Sequence, residues 1–340
     1  MRIGIPDVSV IVTCYDRREF LLSALESLTT QDAPVGSFEV IVVKNFMDDE
    51  IDMFCKDHGY KAVHTQTTSQ GGLAAEGVLH STGRVLSFLD DDDKFSSSKV
   101  AAVKDIFSDE EVIFYHNAHC LIDAQGIPKP GNKLKPPKKE IRFRVNHDTD
   151  LRKVLRENGL YHLGTLFFNL SSISVIRDVA LEHMSDLQEM KSRPDDFIFF
   201  ASLKRNNGII VIGPDVLTLY REHQSASNPE RTRQTLIDLK HRHISGSEII
   251  VRMLEGSPFE SMARSQLGIT QTDLYRLRHD LKSYLRNSYA YFKSQRMNNF
   301  PFLYTALNYV LGLFETGNNE LFRRIRSIFL SIVGDIRSED

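Results

Sequence analysis

The sequence predicts an α/β fold that is followed by a helical C-terminal region. From residue 8 to residue 116, short apolar runs of the kind that form buried strands alternate with segments of helical periodicity. From about residue 231 onward the pattern is helical to the end of the chain. Because alternating strands and helices are typical of a parallel sheet covered by helices, these two patterns predict the fold class.

The individual elements follow from apolar runs, caps and turn residues. In the first half of the chain, strands are predicted over 8–12, 39–43, 61–64, 85–89 and 112–116. Helices are predicted from a cap at Asp16 through Leu28, and over 50–58, 70–83 and 97–107. Residues 127–139 hold four prolines and five lysines, which indicates a surface loop. Further along, strands are predicted over 162–169 and 208–213, a helix over 193–206 and a loop over 220–228.

Composition excludes several classes of protein. The 340 residues are 41% hydrophobic and 26% charged with a net charge of −3, which is an ordinary globular mixture and not that of a uniformly basic nucleic-acid binder. Three widely spaced cysteines, Cys14, Cys55 and Cys120, make neither a disulfide framework nor a CxxC metal site. We therefore expect a reducing, cytoplasmic environment, with no signal pattern at residue 1 and no apolar run long enough to span a bilayer.

Four consecutive aspartates, Asp90 to Asp93, follow the predicted strand 85–89. Two unit charges 4 Å apart repel by about 1 kcal/mol even in water, so such a cluster beside a core needs a reason. One reason is a divalent cation, since hard oxygen ligands suit Mg²⁺, Mn²⁺ or Ca²⁺. Another is a solvated turn whose last member, Asp93, caps the next helix. Ligands of open α/β sheets bind beyond the carboxyl ends of the strands. The polar segments after the first two predicted strands also lie at those ends. This grouping favours a cation site over a solvated turn.

The order and spacing of these segments resemble the family 2 glycosyltransferases of the GT-A fold. The resemblance covers roughly residues 7–228 and is carried by VSVIVTCYDRREFLLSALESL, EVIVV, a glycine-rich helix and GRVLSFLDDDD. It implies a Rossmann-like mixed sheet flanked by helices. It also implies metal-dependent transfer of a sugar from a nucleotide-sugar to an acceptor hydroxyl, usually with inversion. We expect a catalytic domain over 1–229, with a nucleotide-sugar half (1–120) and an acceptor half (140–229), and a helical region over 230–340.

The same resemblance implies roles for particular residues. The nucleotide-binding residues would be Thr13, Tyr15, Asn45, Asp90, Asp91 and Arg221, and the metal ligands Asp90, Asp92 and His223. The metal would be Mn²⁺ or Mg²⁺, and it would stabilise the departing diphosphate. The donor would be a UDP- or GDP-sugar, and the acceptor a saccharide or a lipid-linked saccharide.

A later acidic pair, Asp195 and Asp196, matches the family's catalytic acidic pair. Inverting transfer needs one carboxylate to take the proton of the acceptor hydroxyl, and we expect Asp196 to do so, with Asp195 as the alternative. A structural role stays open, because a Pro-Asp-Asp helix start is also favoured by the helix dipole.

Two positions depart from the family's pattern. Lys44 stands where an acidic residue usually follows the second strand, and Ala75-Glu76 stands where Arg-Asn is usual. Either Asn45 substitutes, or Lys44 points elsewhere, or the base is not uracil. These departures keep two alternatives open, a catalytically degenerate nucleotide-sugar-binding protein and a nucleotidyltransferase.

The C-terminal region raises separate alternatives. Residues 263–285 resemble a helix-turn-helix motif with its turn at Gly268. This motif supports a remote alternative, a nucleic-acid-binding protein. We nevertheless expect no nucleic-acid partner. Within 300–333, an apolar stretch over 300–314 and a basic amphipathic stretch over 320–333 predict a membrane-surface contact or a homodimer contact. The former would place the protein peripherally on the cytoplasmic face of the membrane.

Overall fold

The computed structural model describes residues 6–34, 36–129, 137–146, 148–158, 169–223 and 232–294. The predictions for 162–168, 224–228, 300–314 and 320–333 lie outside these residues. The chain divides into two compact units, one of residues 1–223 with 249–260 and the other of residues 224–248 with 261–340.

Within the described residues of the first unit, nine strands form one mixed sheet. The strands are β1 (Val8–Cys14), β2 (Phe38–Lys44), β3 (Lys61–His64), β4 (Val85–Asp90), β5 (Lys94–Phe95), β6 (Val112–Ile122), β7 (Ile141–Val145), β8 (Ile173–Ile176) and β9 (Gly208–Arg221). Their order is β3-β2-β1-β4-β8-β6-β9-β5, and β7 also pairs with β9. Strands β3, β2, β1 and β4 run parallel, whereas β8 is antiparallel to both of its neighbours. All seven residues of β1 are buried, as expected for a central strand covered on both faces.

Helices flank this sheet, so the predicted fold class is confirmed. They are α1 (Leu21–Thr29), α2 (Asp49–Asp57), α3 (Gln70–His80), α4 (Lys99–Ile106), α5 (Leu151–Glu157), α6 (Arg177–Glu182), α7 (Met184–Glu189) and α8 (Pro194–Lys204). A single 3₁₀ turn, Leu170–Ser172, precedes β8.

Three local predictions were wrong or incomplete. Asp16 does not cap α1, because its backbone is left-handed (φ 49°) and the helix begins only after Phe20. Strand β6 continues to Ile122, well beyond the predicted end at residue 116. Strand β9 likewise continues to Arg221, so Tyr220 and Arg221 end a strand instead of opening a loop. Polar residues in β6 and β9 concealed these extensions, because the predicted ends were placed where the apolar runs stop.

The glycines of α3 serve close packing. A Cβ added at Gly77 would collide with the Ile11 side chain of β1, and one added at Gly71 would collide with the backbone of Leu187 in α7. Their spacing therefore reflects the approach of α3 to β1 and α7, in agreement with the absence of a dinucleotide-binding glycine pattern.

Beyond residue 232 the described chain is helical, as predicted, in α9 (Arg233–Met253), α10 (Glu260–Leu277) and α11 (Leu281–Ser294). The helix-turn-helix prediction is wrong, because α10 passes through Gly268 without a break. Thr272 Oγ1 donates to the Gly268 carbonyl at 2.7 Å, as a threonine inside a helix does. The turn lies instead at His279 (φ 60°), after which Asp280 caps α11. Among the described residues, no helix is long and apolar enough to cross a membrane.

Candidate active site

The site is built at the sheet edge where β1, β4 and β9 end, with β1 and β4 as direct neighbours and β9 further along, beyond β8 and β6. Asp90 pairs with Thr13 in the parallel ladder, and Thr13 Oγ1 donates to Asp90 Oδ1 at 3.2 Å. Arg221, the last residue of β9, donates its backbone N–H to Asp93 Oδ1 at 2.9 Å. The four aspartates are therefore held by β1 on one side, through Thr13, and by β9 on the other, through the Arg221 N–H. The order of the strands in the sheet brings these two contacts to the same edge.

Asp91 is turned towards Arg17. The Arg17 guanidinium binds it in bidentate fashion, through Nη2 to Oδ1 at 2.5 Å and through Nε to Oδ2 at 3.1 Å. Burial raises the pKa of Asp91 to about 6 although Arg17 lowers it. The second of the four aspartates thus anchors an arginine.

Two side chains, those of Arg17 and His223, contact the Asp92 carboxylate. Its Oδ2 accepts from Arg17 Nη2 at 2.6 Å and lies 2.8 Å from His223 Nε2. Burial alone would raise the pKa of Asp92, but the hydrogen bond from His223 and the charge of Arg17 lower it. Asp92 is consequently held as the ionised carboxylate.

Asp93 does not cap the following helix, and that alternative is wrong. Helix α4 begins at Lys99, after Ser98. Besides the Arg221 N–H, the Asp93 carboxylate accepts from Ser171 Oγ at 2.6 Å and from Asn169 Nδ2 at 3.3 Å. Burial and the charge of Asp92 raise the pKa of Asp93 to about 8.

Three of the aspartates fit a divalent cation. Asp90, Asp92 and Asp93 each offer one oxygen, and these oxygens all lie within 4.8 Å of one another. Burial and the charges of Asp92, Asp93 and Asp91 raise the pKa of Asp90 well above its usual range. A cation would relieve this repulsion, and carboxylate oxygens are the ligands that Mg²⁺ and Mn²⁺ prefer.

The second acidic pair lies at the start of α8. Arg193, in a left-handed conformation (φ 64°), precedes the helix, and its Nε donates to Asp196 Oδ2 at 2.5 Å. Asp196 is buried, whereas Asp195 is only partly so. The charge of Asp195 contributes to the raised pKa of Asp90, so Asp195 lies within electrostatic reach of the aspartate cluster. Burial and the charge of Asp196 raise the pKa of Asp195 itself to about 7.

Comparison with known proteins gives a family for part of the chain. Residues 9–161, slightly less than half of the chain, match the sequence model of Glycosyl transferase family 2. This segment is therefore similar to that family.

Solved structures agree on the fold. The mannosyltransferase PcManGT of Pyrobaculum calidifontis, in complex with GDP-Man and Mn²⁺, superposes with a TM-score of 0.55 at 15% identity over 95% of this chain and 83% of that one. S. aureus TarS 1-349, in complex with UDP-GlcNAc, gives a TM-score of 0.51 at 14% identity over 85% and 91%.

Curated relatives match only a part of this chain. An uncharacterized glycosyltransferase of Rickettsia bellii is 29% identical over 123 residues, which are 35% of this chain and 18% of the relative. One from Haemophilus influenzae is 30% identical over 133 residues, or 38% and 45%. The matched segments thus span less than half the length of these relatives.

Tyr15, Asn45 and Lys44, which the resemblance also singled out, follow or end the neighbouring strands β1 and β2. Tyr15 is 42% exposed. Asn45 Oδ1 accepts from the Asp16 N–H and Asn45 Nδ2 donates to the Asp16 carboxylate, both at 2.9 Å, so Asn45 connects the chain after β1 to the chain after β2. Lys44 points elsewhere, because its buried ammonium donates at 3.0 Å to both Asp52 and the Phe46 carbonyl. The second of the three explanations offered for Lys44 therefore holds.

Arg221 reaches the cluster but is engaged there by carbonyl groups. Its Nε donates to the Asp92 carbonyl at 2.7 Å, and its Nη1 donates to the carbonyls of Asp123 and Ala124 at 3.0 and 2.8 Å. The guanidinium also stacks on Phe20, 4.5 Å from the ring centre. Its predicted contact with the donor phosphate stays a prediction.

Sequence reasoning missed Arg17, Ser171 and Tyr220. Arg17 is one of two adjacent arginines, and nothing in the motif distinguishes it from Arg18, whose side chain is 62% exposed and pairs with Asp48 and Glu50. Ser171 has no sequence signal at all. Tyr220 was assigned to a loop, yet the charges of the aspartates and of Asp195, added to burial, raise its pKa above the usual range.

Proposed function

We propose that this protein transfers a sugar from a nucleotide-sugar donor to an acceptor hydroxyl in a single inverting displacement assisted by a divalent cation. The observation that carries the proposal is the grouping of Asp90, Asp92 and Asp93 at the strand ends, with Asp195 in electrostatic reach of them. The catalytic domain would be residues 1–229, with the donor half over 1–120 and the acceptor half over 140–229.

In this proposal the donor half binds and orients the nucleotide-sugar. Asp90, Asp92 and Asp93 would hold Mn²⁺ or Mg²⁺, which when bound neutralises the diphosphate as the leaving group. Thr13 fixes the Asp90 carboxylate by its hydrogen bond. Tyr15 offers an exposed aromatic face on which a nucleobase can stack.

The proton of the acceptor hydroxyl would be taken by Asp195. A general base works best when its pKa lies near the operating pH, and the pKa of Asp195 is raised to about 7. Asp196, which the sequence favoured, is buried and engaged by Arg193. Its role would then be to fix Arg193 at the start of α8.

The donor class is supported by the two structural neighbours. PcManGT is in complex with GDP-Man and Mn²⁺, and TarS with UDP-GlcNAc, so UDP- and GDP-sugars are the first donors to test. The acceptor would be a saccharide or a lipid-linked saccharide, as the family resemblance implies.

A thermal-shift panel of UDP-, GDP-, dTDP- and CMP-sugars, each with Mn²⁺ and with EDTA, tests the proposal. A ligand that binds only the folded state raises its stability by about 2.7 kcal/mol at a hundred times its Kd. We expect stabilisation by one nucleotide class, in Mn²⁺ only. Equal stabilisation in EDTA would contradict the cation's role, and no stabilisation by any donor would contradict the function.

One observation favours a second candidate, a nucleotide-sugar-binding protein without turnover. Asp92 already has Arg17 and His223 as partners, so the cluster is partly neutralised without a cation. Release of nucleoside diphosphate from the stabilising donor, measured with and without acceptor saccharides, separates the candidates. Binding without any release over a broad acceptor panel would favour the second one.

A further inference from the structure

Two arginines touch the aspartates, and they differ in what their guanidinium groups can still bind. Arg221 is 4% exposed and its described hydrogen bonds go to three backbone carbonyls, so a phosphate would have to displace them. The side chain of Arg17 is 27% exposed and is held by carboxylates alone along one edge. Of these two, Arg17 is the better candidate for an anionic ligand.

The hydrogen bonds of Arg17 fix the plane of its guanidinium. Nε and Nη2 of Arg17 donate to the two carboxylate oxygens of Asp91, and Nη2 also donates to Asp92. The remaining nitrogen, Nη1, lies 3.2 Å from His223 Nε2. That same Nε2 lies 2.8 Å from Asp92 Oδ2. A ring nitrogen that donates to Asp92 cannot also accept from Arg17, so in that state the Nη1 hydrogens have no acceptor on His223.

We propose that Arg17 binds the diphosphate of the donor, and that Asp91 is the positioning residue that presents it. This inference rests on the proposed function, since it names the residue that receives the donor's diphosphate. Asp91 thereby differs from its three neighbours, because both of its oxygens bind Arg17 and it is the one of the four outside the group that could hold a cation. In this proposal Arg17, and not Arg221, makes the predicted contact with the phosphate. Arg221 instead stabilises the backbone at Asp92 and at Asp123–Ala124 by hydrogen bonds to their carbonyls.

The placement of Arg17 predicts effects of opposite sign on two ligands. Its positive charge lies 2.6 Å from Asp92, so it opposes a cation that binds there. Removing the charge should tighten the binding of Mn²⁺ to the nucleotide-free protein. The same change should weaken the binding of a diphosphate, which loses a charge-assisted hydrogen bond. A residue that only supported the fold would weaken both.

The experiment measures Mn²⁺ alone, and UDP, UMP, GDP and GMP in saturating Mn²⁺, by titration calorimetry on the full chain. In Arg17→Gln we expect Mn²⁺ to bind more tightly by roughly threefold to tenfold. The nucleoside diphosphate that binds wild type should bind Arg17→Gln more weakly by roughly tenfold to hundredfold. The corresponding monophosphate should lose less. Arg17→Lys should restore part of the diphosphate affinity because it keeps the charge.

Two further variants keep the result interpretable. Arg18→Gln changes the neighbouring, exposed arginine and should alter neither ligand's affinity. Arg17→Gln leaves Asp91 buried without its partner and lowers stability, so Arg17→Gln/Asp91→Asn, which leaves no such charge, repeats the diphosphate measurement. We expect the same loss of diphosphate affinity in this double variant.

Diphosphate affinity equal to wild type in both Arg17→Gln and the double variant would overturn the inference. So would weaker Mn²⁺ binding in Arg17→Gln. If wild type bound neither UDP nor GDP in Mn²⁺, the proposed function itself would fail for these donors. That outcome is recognised from wild type alone, before any variant is compared.

Discussion

The two acidic clusters of this protein, Asp90–Asp93 after β4 and Asp195–Asp196 at the start of α8, each place adjacent carboxylates close together and each include an ion pair with an arginine. In each cluster, one aspartate is the main partner of an arginine, although Asp92 also contacts Arg17. Asp91 binds Arg17, and Asp196 binds Arg193. In the first cluster, Asp90, Asp92 and Asp93 group their oxygens as a cation site would require. In the second, the charge of Asp195 raises the pKa of Asp90, so Asp195 lies within electrostatic reach of that group.

The clusters differ in how the other carboxylates are held. Asp93 is buried and accepts three hydrogen bonds from Ser171, Asn169 and the Arg221 N–H. Asp195 is only partly buried, and its pKa is raised to about 7. A carboxylate fixed in place by several hydrogen-bond donors suits a fixed cation, whereas a partly exposed carboxylate with a pKa near neutrality suits proton transfer. Adjacent identical residues can therefore have different roles, and the predictions below test that division.

The largest effect is expected at Asp195. Asp195→Asn removes the proposed base and should lower the rate of transfer by roughly a hundredfold to ten-thousandfold, with donor affinity retained. Initial rates at saturating donor, with calorimetric Kd values for the donor, measure both. Asp196→Asn is the matched variant and should keep more activity. The reverse ranking of the two variants would return the base to Asp196.

The next largest effect is expected at Asp92. Asp92→Asn should weaken Mn²⁺ binding by at least about tenfold, because it removes a ligand and a negative charge together. Calorimetric titration with Mn²⁺ checks this. The double substitution Arg17→Gln/Asp91→Asn removes a neighbouring ion pair without a net change of charge, and should alter Mn²⁺ affinity far less. Equal losses in both proteins would mean that Asp92 has no distinct part in the cation site.

A smaller effect, on stability, is expected at Asp196. Asp196→Asn breaks the contact with Arg193 in a largely buried setting and should lower the free energy of unfolding by about 1–3 kcal/mol. Asp178→Asn is the control, since Asp178 is 69% exposed and lies 4.0 Å from Arg205. That exposed pair should contribute less than about 1 kcal/mol. Urea unfolding of the three proteins makes the comparison, and similar losses would show that the Arg193 pair is not special.

A further effect, on the pH dependence of stability, is expected at Asp195. The folded protein holds a proton on Asp195 up to about pH 7, whereas the unfolded chain releases it near its ordinary pKa of 3.8. The contribution of Asp195 to the free energy of unfolding is therefore fully present below pH 3.8. It declines as the pH rises to about 7, because the unfolded chain loses the proton first. Asp195→Asn should therefore melt above wild type at pH 8 in EDTA, by a margin that shrinks towards pH 4. A margin independent of pH would contradict the raised pKa of Asp195.

The sequence predicted the fold because the strands of its first half are continuous apolar runs at regular spacing. Burial on both faces of a central strand such as β1 favours such runs, and the polar residues within β1, Ser9 and Thr13, are small. It also predicted where the site lies, since four carboxylates after a buried strand are costly without partners. It failed at the extensions of β6 and β9, where buried polar residues in β6 and the Pro214-Asp215 interruption in β9 break the apolar run that marks a strand.

Sequence alone determined, then, that the four aspartates and Thr13 lie at one edge of an α/β sheet, and that a later acidic pair begins a helix. The tertiary structure decided which aspartate turns to which partner. Arg17 comes from the segment after β1, Ser171 from the turn before β8 and the Arg221 N–H from β9, and these are neighbours only because β4, β8, β6 and β9 lie side by side. The direction of each carboxylate is set by donors far away in the chain, and no local pattern around Asp90–Asp93 encodes them.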